Sequence, residues 1–135
     1  MIYNVHWHLC FCCLVPTGTV SNLLISNATE SSLYVSWNNV PCQSRGGNLI
    51  EYRVIVRDVT AGTDVFETST RERNIKLSDL DPYNVYGVKV AYINEVGEGP
   101  MSDEVEARTL QDGKIQYIYY MAILLALSGA INLIN

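Results

Sequence analysis

The stretch LDPYNVY, Leu80–Tyr86, runs into the most regular alternation in the chain. It sets acids, a proline and two tyrosines within seven residues. Acids and phenols can move protons, so a chemical site is one reading. The residues that follow favour another. VYGVKVAYIN places Tyr86, Val88, Val90 and Tyr92 on one face and Gly87, Lys89 and Ala91 on the other, the period of a half-buried strand. Proline fixes φ and carries no backbone donor, so Pro82 marks a corner leading into that strand. Asp79 and Asp81 bracket Leu80 and read as solvated turn acids.

Working outward, the same two-residue period recurs along the middle of the chain. Leu23 and Ile25 share a face, as do Leu33, Val35 and Trp37, with Tyr34, Ser36 and Asn38 opposite. LIEYRVIVRD sets Ile50, Tyr52, Val54 and Val56 against Glu51, Arg53 and Arg57. TDVFETS is a shorter, weaker strand, and NIKLS offers Ile75 and Leu77. MSDEVEART is charged and reads as an edge strand. The Gly-, Pro- and Asn-rich runs PCQSRGGN and NEVGEGP break the pattern. Short half-buried strands with no helical crossover between them require antiparallel pairing, and two such sheets must bury one face on each other. The expected fold class is therefore all-β: an immunoglobulin-like, seven-stranded antiparallel β-sandwich over residues 16–111.

The marks in order are Trp37, Tyr52, Leu80-x-Pro82-x-x-x-Tyr86, Asn94-x-x-Gly97-x-Gly99-Pro100-x-Ser102 and Thr109. Together they resemble the fibronectin type III family of cell-surface receptor and adhesion proteins. The resemblance implies a non-enzymatic extracellular module that binds cell-surface or matrix proteins. It implies that the loops Pro41–Asn48 and Asn94–Pro100 share one pole with the domain's N-terminus. Gln43, Arg45, Asn48, Glu95 and Glu98 on those loops are the expected partner-binding residues, since loops on a rigid scaffold carry contacts. It implies that Tyr86 sends its hydroxyl back to the backbone a few residues upstream, as a tyrosine corner. Where small residues are usual, this chain has Tyr83 and Tyr92, whose rings are expected at the sandwich edge. A disulfide from Cys42 to one of Cys10, Cys12 or Cys13 would also lie at that shared pole. No Arg-Gly-Asp triplet occurs, so integrin binding is not implied.

The two ends differ from the middle. Residues 1–15 contain no Lys, Arg, Asp or Glu, and none occurs from Ile115 to Asn135. The run 115–134 is long enough as a helix, at about 1.5 Å per residue, to reach about 30 Å, and Tyr117, Tyr119 and Tyr120 stand where an interfacial aromatic belt would. A transmembrane helix is the expectation, with a cleaved lipid-anchor signal as the alternative. Residues 1–15 form an apolar segment that reads as a degenerate signal or as a junction from a preceding segment.

Composition excludes several functions. A net charge of −5 with only nine Lys and Arg gives no footprint for nucleic acid. No HExxH, paired CxxC, phosphate-cradling glycine loop or nucleophile elbow is present, so no catalytic residue, cofactor or small-molecule substrate is expected. His6, His8, Cys10 and Cys12 alternate onto one strand face, and Cys13 adjoins them. A metal-binding or redox use of these thiols is an outside reading, because the spacing fits no standard zinc module. Asn27-Ala28-Thr29 is an N-glycosylation sequon. The alternative to a small anchored interaction protein is an ectodomain fragment of a larger receptor, such as a receptor tyrosine phosphatase or kinase whose catalytic region lies elsewhere.

Overall fold

The computed structural model describes residues 13–132, with the side chains of 114–119 and 130–132 left out. Strands β1 (Ser21–Ser26), β2 (Leu33–Asn38), β3 (Leu49–Asp58), β4 (Thr63–Thr70), β5 (Asn74–Leu77), β6 (Val85–Asn94) and β7 (Val105–Arg108) precede one helix, α1 (Gly113–Asn132). All pairs are antiparallel. They form a three-stranded sheet ordered β1-β2-β5 and a four-stranded sheet ordered β4-β3-β6-β7.

The alternating positions supply the core. Leu33, Val35 and Trp37 from β2 meet Tyr52, Val54 and Val56 from β3 and Tyr86, Val88, Val90 and Tyr92 from β6, all buried. Three rings stack edge to face through one end of this core. Trp37 lies 5.3 Å from Tyr52 between ring centres, and Tyr52 lies 5.8 Å from Tyr92. The charged run after Met101 ends in β7, an edge strand as expected. β4 is longer than its composition suggests. It pairs with β3 from Tyr52 opposite Thr70 to Asp58 opposite Thr63 and forms the other edge of that sheet.

Two expectations about side chains fail, each for a local reason. Ile50 does not join the inward row of β3. It is 38% exposed, because the register with β6 shifts between Leu49 and Glu51, and such an irregularity resets which face a residue takes. Tyr92 is not at the sandwich edge. It is only 1% exposed, and its hydroxyl reaches out of the core to donate to the Gly47 carbonyl at 3.0 Å. Tyr83 does lie outside, 60% exposed, with the Arg108 guanidinium 4.6 Å from its ring centre. Its φ of 53° explains the usual preference for a small residue there, since left-handed backbone penalises a Cβ.

The corner around LDPYNVY closes one end of the sandwich, the lower pole. Leu80 and Tyr86 are buried and the Tyr86 hydroxyl accepts the Asp81 N–H at 2.9 Å, the expected tyrosine corner. Buried Thr109 adds to it: its hydroxyl donates to the Asp81 carbonyl at 2.6 Å and accepts the Asn84 N–H at 3.0 Å. Asp79 and Asp81 are exposed, as solvated turn acids should be.

The C-terminal helix runs over Gly113–Asn132 and takes in most of the charge-free run that begins at Ile115. Within it Tyr120, Ile123, Leu124, Leu125 and Leu127 are exposed. No helix among the described residues is long and apolar enough to cross a membrane.

Candidate interaction surface

The opposite end, the upper pole, is built from three chain segments. The β2–β3 loop turns through a short 3-10 helix, Cys42–Ser44, and reverses at Gly46 and Gly47. The β6–β7 loop turns at Asn94–Gly97. The segment before β1 runs between them. Asn94, 3% exposed, ties all three together. Its Nδ2 donates to the Leu14 carbonyl at 2.6 Å and to the Arg45 carbonyl at 2.9 Å. Its Oδ1 accepts the N–H groups of Val96 at 2.8 Å and Gly97 at 3.1 Å, the Asx geometry that asparagine favours in turns. Burial of an amide is stable only when its donors and acceptor are satisfied, and here they are.

Backbone bonds complete the closure. Leu14 N–H donates to Gly46 O at 3.1 Å and Thr17 N–H to Ser44 O at 2.9 Å. Gly46 adopts φ +66°, and a Cβ there would stand 2.1 Å from the Leu14 carbonyl oxygen, so only glycine admits this approach. Burial pushes the Tyr92 phenol above its ordinary value, and burial followed by the neighbouring Tyr92 does the same for Tyr52. Both rings therefore stay neutral beneath the loops at physiological pH.

The sequence-selected residues divide on this frame. Gln43, Asn48 and Glu95 are exposed on the pole, and Val96, not selected from the sequence, stands beside Glu95 with 50% of its surface exposed. Arg45 turns back, its Nε donating to the Val40 carbonyl at 2.7 Å. Glu98 leaves the pole altogether. It meets Arg53 at 2.7 Å on the outer face of the four-stranded sheet, where Arg53 also pairs with Glu67. Arg53 is held charged, first by Glu67 and then by Glu98, and Arg53 in turn lowers the Glu67 carboxyl. These groups are solvent-exposed, so the network orients side chains more than it stabilises the fold.

Cys42 takes part in a disulfide, and Cys13 carries an exposed free thiol. Cys10 and Cys12, the other two thiols named from the sequence, lie outside the described residues, as do His6 and His8. Among the described residues no group of His, Cys, Asp and Glu could hold a metal ion. Asn27 lies far from this surface, exposed in the β1–β2 turn with φ +48°. The role of Asn94 was the main omission of sequence reasoning. The Asn-x-x-Gly spacing does signal its Asx turn, but nothing signals its bonds to Leu14 and Arg45.

Comparison with known proteins agrees with this architecture. Residues 18–108 match the fibronectin type III domain. Protein sidekick-2 of Gallus gallus is 32% identical over 100 residues, covering 72% of this chain and 5% of that protein. Receptor-type tyrosine-protein phosphatase F of Homo sapiens is 28% identical over 96 residues, covering 71% of this chain and 5% of that protein. The chain thus spans about one twentieth of the length of these relatives. In solution, the third fibronectin III domain of human KIAA0343 protein superposes with a TM-score of 0.65 at 21% identity, over 73% of this chain and 86% of that one. Crystallised domains A168-A170 from titin give 0.65 at 19% identity, over 72% and 33%. The family match over residues 18–108 and the shared fold of these solved domains agree, and the chain belongs to the fibronectin type III family.

Proposed function

We propose that this chain is a non-enzymatic protein-interaction module of a cell-surface adhesion or receptor protein, held outside the cell, that contacts protein partners through its upper pole. The observation that carries the reading is Asn94. One buried side chain fastens both loops and the preceding segment, so Gln43, Asn48, Glu95 and Val96 are presented on a pre-ordered surface. A pre-ordered surface loses less conformational entropy on binding than free loops would. The mixture of amide, acid and one apolar side chain suits a protein partner of modest affinity. It offers neither the enclosed apolar cavity of a small-molecule site nor a basic stripe for nucleic acid.

The test is a binding array of purified cell-surface ectodomains probed with the tetramerised chain. Gln43→Ala, Asn48→Ala and Glu95→Lys should lower binding at least tenfold together while leaving the melt unchanged. Binding that survives all three but fails on Arg53→Ala would move the interface to the sheet face.

A second reading, that the chain is an ectodomain piece of a larger receptor, is favoured by its matching only 5% of a receptor-type phosphatase. Any catalysis would then reside elsewhere in that protein. In either reading we propose that α1 associates with lipid, because its described side chains from Tyr120 to Gly129 are exposed and largely apolar. Carbonate extraction of cell membranes tests this, and release of the chain into the soluble fraction would count against it.

A further inference from the structure

A groove of about 210 Å³ lies on the outer face of the three-stranded sheet, lined by Asn27, Thr29, Ser32, Tyr34 and Lys76. The register explains how it forms. Ser26 of β1 stands opposite Tyr34 of β2, and Tyr34 stands opposite Lys76 of β5, so the three make one outward row. Asn27 follows Ser26 directly and forms the rim. Tyr34 is half-buried and lines the groove. Ser32 and Thr29 are fixed to each other, hydroxyl to hydroxyl at 2.7 Å. The groove therefore offers an aromatic platform, hydroxyls at one end and an ammonium at the other.

Its size decides what can occupy it. Sites for freely diffusing ligands run from roughly 300 Å³ upward, because a smaller contact does not offset the lost freedom of the ligand. A group already attached to the rim escapes that cost, since tethering acts as a high effective concentration. Asn27 is such a point of attachment. It begins the only Asn-x-Ser/Thr triplet in the chain, its side chain is exposed, and its left-handed φ is one that asparagine tolerates.

We propose that Asn27 carries an N-linked glycan whose first sugar folds into this groove, with the apolar face of the pyranose on the Tyr34 ring. Sugars present C–H groups on one ring face, and an aromatic ring with its negative π-face attracts them. The Lys76 ammonium and the one hydroxyl proton not used within the Ser32–Thr29 pair provide hydrogen bonds to the sugar's acetamido and hydroxyl oxygens. The attached sugar covers the outer face of the three-stranded sheet near the lower pole and leaves the upper-pole loops open to partners.

The experiment uses the full chain expressed in animal cells. Intact mass before and after peptide N-glycosidase should differ by one glycan, and Asn27→Gln should abolish the difference. The glycan is then trimmed to its single core sugar by endoglycosidase, and melts are compared with the Asn27→Gln chain in Tyr34, Tyr34→Phe and Tyr34→Ala backgrounds. The sugar should raise Tm by about 4 °C in the first two backgrounds, and the increment should vanish in Tyr34→Ala. An independent readout needs no substitution: the sugar's ring protons should shift upfield in the NMR spectrum of the folded chain and return on unfolding. The absence of any mass difference overturns the proposal. So does an equal increment in all three backgrounds, or sugar protons at their free positions. None of these results alters the loop-binding array, so the two proposals fail separately.

Discussion

At the lower pole Tyr86, Thr109 and Asn84 each contribute a side chain to the closure, and at the upper pole the Asn94 amide reaches all three segments, beside backbone bonds and the Tyr92–Gly47 bond. The lower bonds begin close in sequence. The Tyr86 hydroxyl accepts an N–H from five residues upstream, and the Asn84 N–H donates to the hydroxyl of Thr109, which follows the last strand. The upper bonds span 80 residues to Leu14 and 49 to Arg45. A closure shared among several groups tolerates the loss of one. A closure in which one buried amide carries four of the bonds tolerates its loss less well, and it also couples the two loops, so that a change in one is felt by the other.

The largest expected effect follows from that convergence. Asn94→Ala removes two donated and two accepted bonds and orphans the Leu14 and Arg45 carbonyls. Destabilisation of about 2–4 kcal/mol is expected in a urea melt. Amide exchange should rise most at Val96 and Gly97. Loss confined to those two amides, with Leu14 and Thr17 still protected, would show that the loops are not coupled through this side chain.

Gly46→Ala tests the same closure from its backbone side. The added methyl meets the Leu14 carbonyl, and φ +66° disfavours any L side chain, so about 1–3 kcal/mol should be lost. The N-terminal segment should detach first, seen as faster exchange at Leu14 and Thr17. A neutral result would mean that the segment can shift aside freely, and the upper pole would then be two loops, not three segments.

The lower-pole counterpart is smaller. Tyr86→Phe keeps the buried ring and deletes only the acceptor for the Asp81 N–H, at a cost of about 0.5–1.5 kcal/mol. Thr109 still holds the Asp81 carbonyl, which is why the corner should survive. A loss as large as that of Asn94→Ala would remove the distinction between a shared and a convergent closure.

The same contrast accounts for what could be read in the residues. Leu80, Pro82 and Tyr86 sit within one short stretch, and their roles follow from a proline's fixed φ and an alternation that starts at Tyr86. The strands were legible for the same reason, as each carries its period within itself. Tyr92 and Glu98 were not. Alternation correctly points Tyr92 inward, but only the neighbouring loop places Gly47 O within reach of its hydroxyl. Glu98 belongs to a loop by sequence and to a sheet face by structure, because Arg53, 45 residues earlier, emerges beside it. Ile50 was misassigned by one register shift, which depends on the partner strand. Of the candidate contact residues, Gln43, Asn48 and Glu95 could be placed from loop position alone. Arg45 could not, since its guanidinium is drawn to a backbone carbonyl.

Acid should separate the poles with the smallest effect. Asp58, at the end of β3, accepts Ala61 N–H at 2.9 Å and the Asn84 side-chain amide at 2.8 Å. The Ala61 bond and then the Asn84 bond hold its carboxyl below the usual aspartate range. A depressed folded pKa means that this contribution is intact above about pH 4, the value in the unfolded chain, and is lost as pH falls through the folded value. Asn84 also belongs to the corner, so protonating Asp58 loosens the lower pole. Among the described residues the Asn94 side chain bonds only backbone groups, so its closure should not respond to acid in this way. Amide exchange compared between pH 6 and pH 3, corrected for intrinsic rates, should therefore show protection falling at Ala61 and Asn84 and holding at Gly97. Asp58→Asn should flatten the acid response at the lower pole. Equal loss at both poles would assign the acid effect to the Glu67–Arg53–Glu98 network on the sheet face, which adjoins the upper loops, and not to the corner.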